Sequence, residues 1–206
     1  EIQNKIAKEN IHARIRGILM MLESNDTNSL LISNGNKTEI ALGYSTLYGD
    51  MCGGISVIGD LSKTDVYKIS GYVNKRYGKE IIPKEVFTIK PSAELSEGQY
   101  DPFDYDVVSP LVELFVEERD SPIEIIDKFK NKNLGDRFNE DVYKNYQVET
   151  FEKLVYDTYK LLRKSVYKRL QGPPIIAVTG RSFGFDLRET LINKWSDGST
   201  SIYDPF

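Results

Sequence analysis

One short run of consecutive apolar residues, Leu30-Leu31-Ile32, sits in a chain otherwise patterned for helices, and this shortage of strands limits what the chain can fold into. A continuous apolar run of that length suits a strand buried on both faces, as in a parallel sheet. Elsewhere the apolar period is helical. Ile11, Ile15, Ile18, Leu19 and Leu22 form one stripe of an amphipathic helix that begins near Glu9. Residues 37–43, after Asn34-Gly35-Asn36, are expected to form a short helix. Ser62-Lys63-Thr64-Asp65 has a capping-box pattern and opens a helix with Val66, Ile69, Val73 and Tyr77 on its apolar face and Gly78 as its stop.

Further helices are expected over 107–118 and from Ser121-Pro122 onward, where Ser121 caps, Pro122 takes the first helical position and Glu124 completes a second capping box. The longest helix is expected over 140–170, with Tyr146, Leu154, Val155, Leu161, Leu162 and Val166 inward, and Gly172-Pro173-Pro174 breaks it. Ile175-Ile176-Ala177-Val178 reads as a final strand or an extended arm. A parallel sheet needs several strands covered on both faces, so this pattern describes an α/β domain whose N-terminal strands are missing. The chain opens on Glu1, already approaching a helix, and is expected to start inside a larger protein.

Composition excludes some classes. At 206 residues with 40% hydrophobic and 28% charged, the chain is that of a globular domain with a core, and no internal repeat or linker divides it. A net charge of −4 argues against a broad surface for nucleic acid or anionic lipid, although one pocket can still collect basic groups. No apolar run approaches the roughly 18 residues of a membrane span. The single cysteine, Cys52, rules out an internal disulfide and points to a reducing, cytoplasmic setting.

Three segments are candidates for chemistry. Asn34-Gly35-Asn36-Lys37-Thr38-Glu39 follows the strand, and ligands of open α/β sheets bind at carboxyl ends of strands. Glu39 is there either a Mg²⁺ ligand beside substrate phosphates or a first-turn glutamate favoured by the helix dipole. Residues 44–61, with Gly49, Gly53, Gly54 and Gly59, run into the helix that carries Lys63. That arrangement is either an anion cradle or a surface loop before an exposed lysine, and it lacks Walker spacing. Lys90-Pro91-Ser92-Ala93-Glu94-Leu95 is a rigidified turn in which Ser92 is a possible phosphate donor. Cys52 and His12 lie too far apart in sequence to count as a catalytic pair by spacing, and His12 sits off the apolar stripe.

Taken in order, these segments resemble the NAD synthetases. The resemblance rests on Glu9-Asn10-Ile11-His12-Ala13-Arg14-Ile15-Arg16, on 31–39 and on Gly43-Tyr44-Ser45-Thr46-Leu47-Tyr48-Gly49-Asp50. Gly59-Asp60-Leu61-Ser62-Lys63-Thr64 and Lys90–Leu95 add to it. Tyr167-Lys168-Arg169 with Thr179-Gly180-Arg181-Ser182-Phe183-Gly184 is similar to the tail of the glutamine-dependent branch, as is Gly54 where the ammonia-dependent branch has an aspartate. The resemblance implies the Rossmann-like PP-loop ATP pyrophosphatase fold, the chain being the C-terminal portion of one synthetase domain over 1–206.

It also implies an activity. ATP adenylates the carboxylate of deamido-NAD, and ammonia, free or from glutamine, displaces AMP to give NAD. The implied cofactors are ATP and Mg²⁺, and the implied partners are a second copy in a homodimer and a fused upstream glutaminase domain. By the same resemblance Asn10, Arg14, Tyr44, Leu47, Asp50 and Lys168 contact deamido-NAD, and Glu39 ligates the metal. Asn34 (where the family often has threonine), Lys63 and Ser92 lie beside ATP, with Lys63 and Ser92 in catalysis.

The family's S-G-G-x-D-S phosphate loop occurs nowhere in the 206 residues, so the chain alone is expected to be catalytically incomplete. Two rival readings remain open. Another PP-loop ligase such as GMP synthetase shares the chemistry but fits the Y-G-D and K-P-S-A-E-L blocks poorly. The other is a fragment that dimerises or binds a dinucleotide without turnover.

Overall fold

The computed structural model describes the backbone of residues 3–170 and side chains as far as residue 165. The chain divides into two compact units, Glu1–Val166 and Tyr167–Phe206, and the described side chains all belong to the first. The 175–178 segment, the 179–184 motif and the Lys168 side chain lie outside the described residues.

Helix α1 spans Lys5–Asp26, capped by Asn4, whose side chain accepts from the Ala7 amide. Its buried residues are Ala13 and Gly17. The apolar stripe of the helix is exposed: Ile11, Ile15, Ile18, Leu19 and Leu22 all lie on the surface of this chain. Small residues win the inner face because a loop backbone crosses there at close range. A Cβ on Gly17 would stand 3.0 Å from the carbonyl oxygens of Tyr48 and Gly49.

Strand β1 is Ile32–Ser33 and pairs in parallel with β2, Ile55–Ser56, in the register Ile32 to Ile55 and Ser33 to Ser56. The expected strand at 30–32 is therefore shifted, and it is not buried. Leu30 and Ile32 are exposed, and the described residues supply no further strand or covering helix for that face. Gly53 brings the second strand in. Its φ is +152°, and an added Cβ would fall 2.5 Å from the Ser33 amide nitrogen.

Helix α2, Lys37–Leu42, is fixed at both ends by sequence-local chemistry. Asn36 and Glu39 form a reciprocal capping box, and Gly43 terminates it at φ 70°. Helix α3, Lys63–Tyr77, starts at Ser62, whose hydroxyl accepts from the Asp65 amide, and stops at Gly78. Asp65 receives the Ser62 hydroxyl and does not reach back to the backbone, so this cap is not the full box expected. None of the α3 residues is buried, and Ile69 and Tyr77 of its apolar face are exposed.

The core lies in the C-terminal half of the unit. Helix α4, Tyr105–Glu113, is buried along nearly its whole length and runs on into a π-helical turn, Leu114–Glu118. A helix apolar all round is one that other elements cover on every side. One cluster joins Val107, Leu111 and Leu114 to α5 (Pro122–Lys130) and α7 (Val148–Leu170) through Ile125, Phe129, Phe151 and Val155. Phe129 and Phe151 stack at 4.0 Å. A second cluster packs Val108 and Val112 against Leu42 and Leu162. The single helix expected over 140–170 is split into α6, Val142–Asn145, and α7. Tyr146 is extended there, and its hydroxyl donates to Asp104 Oδ2 at 2.6 Å. That tie to the start of α4 outweighs helix continuity.

Candidate functional site

A cleft of about 480 Å³ opens between α1, β1, α2 and the loop 91–101. Asn34, Glu39, Tyr44, Asp50, Lys63 and Ser92 line it, together with Arg16, Cys52 and Asp101. Its floor is the end of β1, and its walls come from distant segments.

Thr38 does the joining. It is fully buried, donates to Ser109 Oγ at 3.1 Å and accepts from the Lys63 amide at 3.1 Å, so α2, α3 and α4 meet on one hydroxyl. With α3 seated in this way, Lys63 Nζ lies 2.8 Å from Glu39 Oε1 and 5.3 Å from the centre of the Tyr105 ring. The other Glu39 oxygen accepts from the Asn36 amide at 3.2 Å. Glu39 is thus held by its own cap and by the lysine, with the outer lone pairs of its carboxylate still available. Among the described residues no group of three His, Cys, Asp or Glu side chains gathers to hold a metal.

The 44–50 loop is shaped by Asp50, whose Oδ1 accepts from the Thr46 amide at 2.7 Å. Helix α1 holds it from outside. Asn10 Oδ1 accepts from the Thr46 hydroxyl at 2.8 Å, and Arg14 Nε donates to the Leu47 carbonyl at 3.2 Å. Asn10, Arg14 and Leu47 are not among the residues lining the cleft, and the Leu47 side chain is exposed.

A neighbouring stripe of α1, which sequence reasoning did not single out, fastens the other loop. Arg16 donates to the carbonyls of Ala93 and Glu94 at 3.1 and 2.6 Å, and Ser96 donates to Glu9 at 3.2 Å. His12 Nδ1 lies 3.1 Å from the Leu95 carbonyl, and since a carbonyl only accepts, Nδ1 carries the proton. Glu9, His12 and Arg16 sit three and four residues apart, on one face of the helix, and that polar spacing is visible in the sequence. Within the loop, Ser92 donates to the Gln99 carbonyl and accepts from the Glu94 amide at 3.1 Å.

Burial and the adjacent Asp101 push the Tyr44 phenol up to about 12, and burial with Asp101 raises Tyr105 further still. Burial and the Asp104 hydrogen bond take Tyr146 to about 12. Each folded-state value lies above the ordinary phenol value of 10.0, so these protons are held more tightly in the folded state. Their contribution to stability is complete below about pH 10 and is lost as pH rises through about 12. In an alkaline titration followed by tyrosinate absorbance, this group is expected to ionise last and together with unfolding. Full ionisation of all tyrosines near pH 10 in a folded chain would contradict the geometry.

A cleft at the end of a parallel strand, beside the lysine that opens a helix, lies where open α/β sheets take their ligands. Residues 1–156 match the NAD synthase family, and the chain belongs to that family. A glutamine-dependent NAD(+) synthetase of Thermotoga maritima is 38% identical over 195 residues, covering 93% of this chain and 30% of that protein. One of Synechocystis is 41% identical over 183 residues, covering 87% of this chain and 29% of the relative. A crystal structure of a glutamine-dependent NAD(+) synthetase from Cytophaga hutchinsonii superposes with a TM-score of 0.58 at 23% identity, over 81% of this chain and 24% of that one. The fold is therefore the α/β fold of the PP-loop synthetases. The chain spans about 30% of the length of the curated relatives it matches. No helix among the described residues is long and apolar enough to cross a membrane.

Proposed function

We propose that this chain is the C-terminal portion of the synthetase domain of a glutamine-dependent NAD synthetase, and that its cleft holds deamido-NAD and ATP for amidation to NAD. The observation that carries the reading is the convergence of Glu39, Lys63, Tyr44, Asp50, Asn34 and Ser92 on one cleft from segments separated in sequence. Membership of the family supplies the reaction.

In the first step an oxygen of the nicotinate carboxylate attacks the α-phosphorus of ATP, and the bond to pyrophosphate breaks. Negative charge grows on the departing pyrophosphate, and Lys63 stands where it can neutralise that charge. Asn34 offers an amide to the nucleotide, and Ser92 serves it by exchanging its Gln99 carbonyl partner for a phosphate oxygen. In the second step the nitrogen of ammonia attacks the acyl carbon, the bond to AMP breaks, and the proton leaves to solvent. Mg²⁺ held by Glu39 would neutralise phosphate charge when bound. Tyr44 and Asp50 take the dinucleotide. Asn10, Arg14 and Leu47 serve the same substrate by shaping the 44–50 loop.

The exposed stripe Ile11, Ile15, Ile18 and Leu22 on α1 supports a second copy as partner in a homodimer, and the single cysteine supports a cytoplasmic setting. The relatives' names and greater length support a fused glutaminase as nitrogen source.

The test is calorimetric titration of this chain with deamido-NAD, with ATP as comparison, followed by turnover in a full-length version. Saturable deamido-NAD binding with weak ATP binding is the expected result, because the S-G-G-x-D-S loop is not in the sequence. A full-length protein that binds both and forms no NAD would sink the assignment.

A further inference from the structure

One buried group lining the cleft has no place in the amidation chemistry. Asp101 is only 6% exposed. Tyr44 feels the Asp101 charge and a hydrogen-bonding interaction with its side chain, so the carboxylate lies between two tyrosine hydroxyls. Its Oδ2 accepts from the Tyr105 hydroxyl at 2.8 Å, and its amide donates to the Pro91 carbonyl at 2.8 Å, closing the base of the 91–101 loop. Phe103 stands between the two tyrosines that flank it, edge-on to Tyr44 at 5.2 Å and to Tyr105 at 5.8 Å. Tyr105 in turn presents its ring to Lys63 Nζ.

Burying a carboxylate is an expensive way to tether two phenols, and its presence here calls for a reason other than stability. Charge is what distinguishes aspartate from asparagine here. A negative acceptor strengthens the hydrogen bond that fixes the phenol and makes the ring more electron-rich toward the cation on its face. The backbone amide of the same residue closes the loop that carries Ser92, while its side chain acts on the Tyr105 ring.

We propose that Asp101 is a positioning residue that holds the Lys63 ammonium at Glu39 by fixing the Tyr105 ring. The consequence for catalysis rests on the reading that Lys63 serves adenylation. The placement of Lys63 itself does not depend on that reading.

Two measurements separate these levels. In the chain as it stands, Asp101→Asn and Tyr105→Phe should each raise the rate of reductive methylation of Lys63 several-fold, read by mass spectrometry, while the exposed Lys68 on the same helix is unchanged. In a full-length enzyme each should slow adenylation about tenfold with the KM for deamido-NAD unchanged, and the double variant should be no slower than either alone, since one acts through the other. Asp101→Asn should keep or raise the melting temperature while activity falls. Unchanged Lys63 reactivity, additive losses, or a melting temperature that drops in step with activity would overturn the proposal. A rise in Lys63 reactivity beside a wild-type enzyme with no adenylation would uphold the positioning and defeat the functional reading instead.

Discussion

Lys63→Ala is expected to slow pyrophosphate release in a full-length enzyme by on the order of a hundredfold, the scale seen when one preorganised charge-stabilising donor is removed. The lysine is already in place before substrate arrives. Its ammonium sits 2.8 Å from Glu39 and over the Tyr105 ring, with its backbone amide fixed by Thr38. Deamido-NAD affinity should change little, because the lysine is proposed to serve the phosphates. Lys63→Arg should recover only part of the rate, since a planar fork does not reproduce a compact point charge. Single-turnover pyrophosphate release is the deciding measurement, and a wild-type rate in the alanine variant would remove Lys63 from the chemistry.

Phe151→Ala is expected to lower unfolding free energy by about 3–5 kcal/mol. Phe151 is fully buried, stacks on Phe129 at 4.0 Å and meets Tyr146 edge-on, so its loss opens a cavity where α5 and α7 join. Denaturant melts should show a lower midpoint at an unchanged slope. A shift below about 1 kcal/mol would mean that the helical half can collapse around the gap, at odds with this close-packed cluster.

Helix ends are legible in the sequence wherever the partner is local. Asn36 with Glu39, Ser121 with Glu124, Pro122 at a helix start and Gly43 and Gly78 at helix ends all behave as their spacing implies. Each effect is complete within a few residues of chain. Faces are less legible. The α1 stripe and one side of α3 are apolar as the pattern says, yet periodicity tells which residues share a face and nothing about whether that face is covered. The break at Tyr146 escapes the pattern for a related reason. A hydrogen bond to Asp104, 42 residues away, has no signature in the local sequence.

The sequence by itself therefore determined the family, most of the helix caps and the identity of several cleft-lining side chains, because motif order and short-range hydrogen bonding are properties of the chain. Only the tertiary structure decided which side chains share the cleft. Thr38 and Ser109 meet across 71 residues, and Lys63 finds Glu39 across 24. Asn10 and Arg14 turn out to brace a loop while Arg16 lines the cleft. Asp101, unremarkable in sequence, becomes a buried carboxylate between two phenols only when Tyr44, Tyr105 and the Ser92 loop close around it. Burial and the convergence of distant side chains set the character of such a group, and both exist only once the chain has packed.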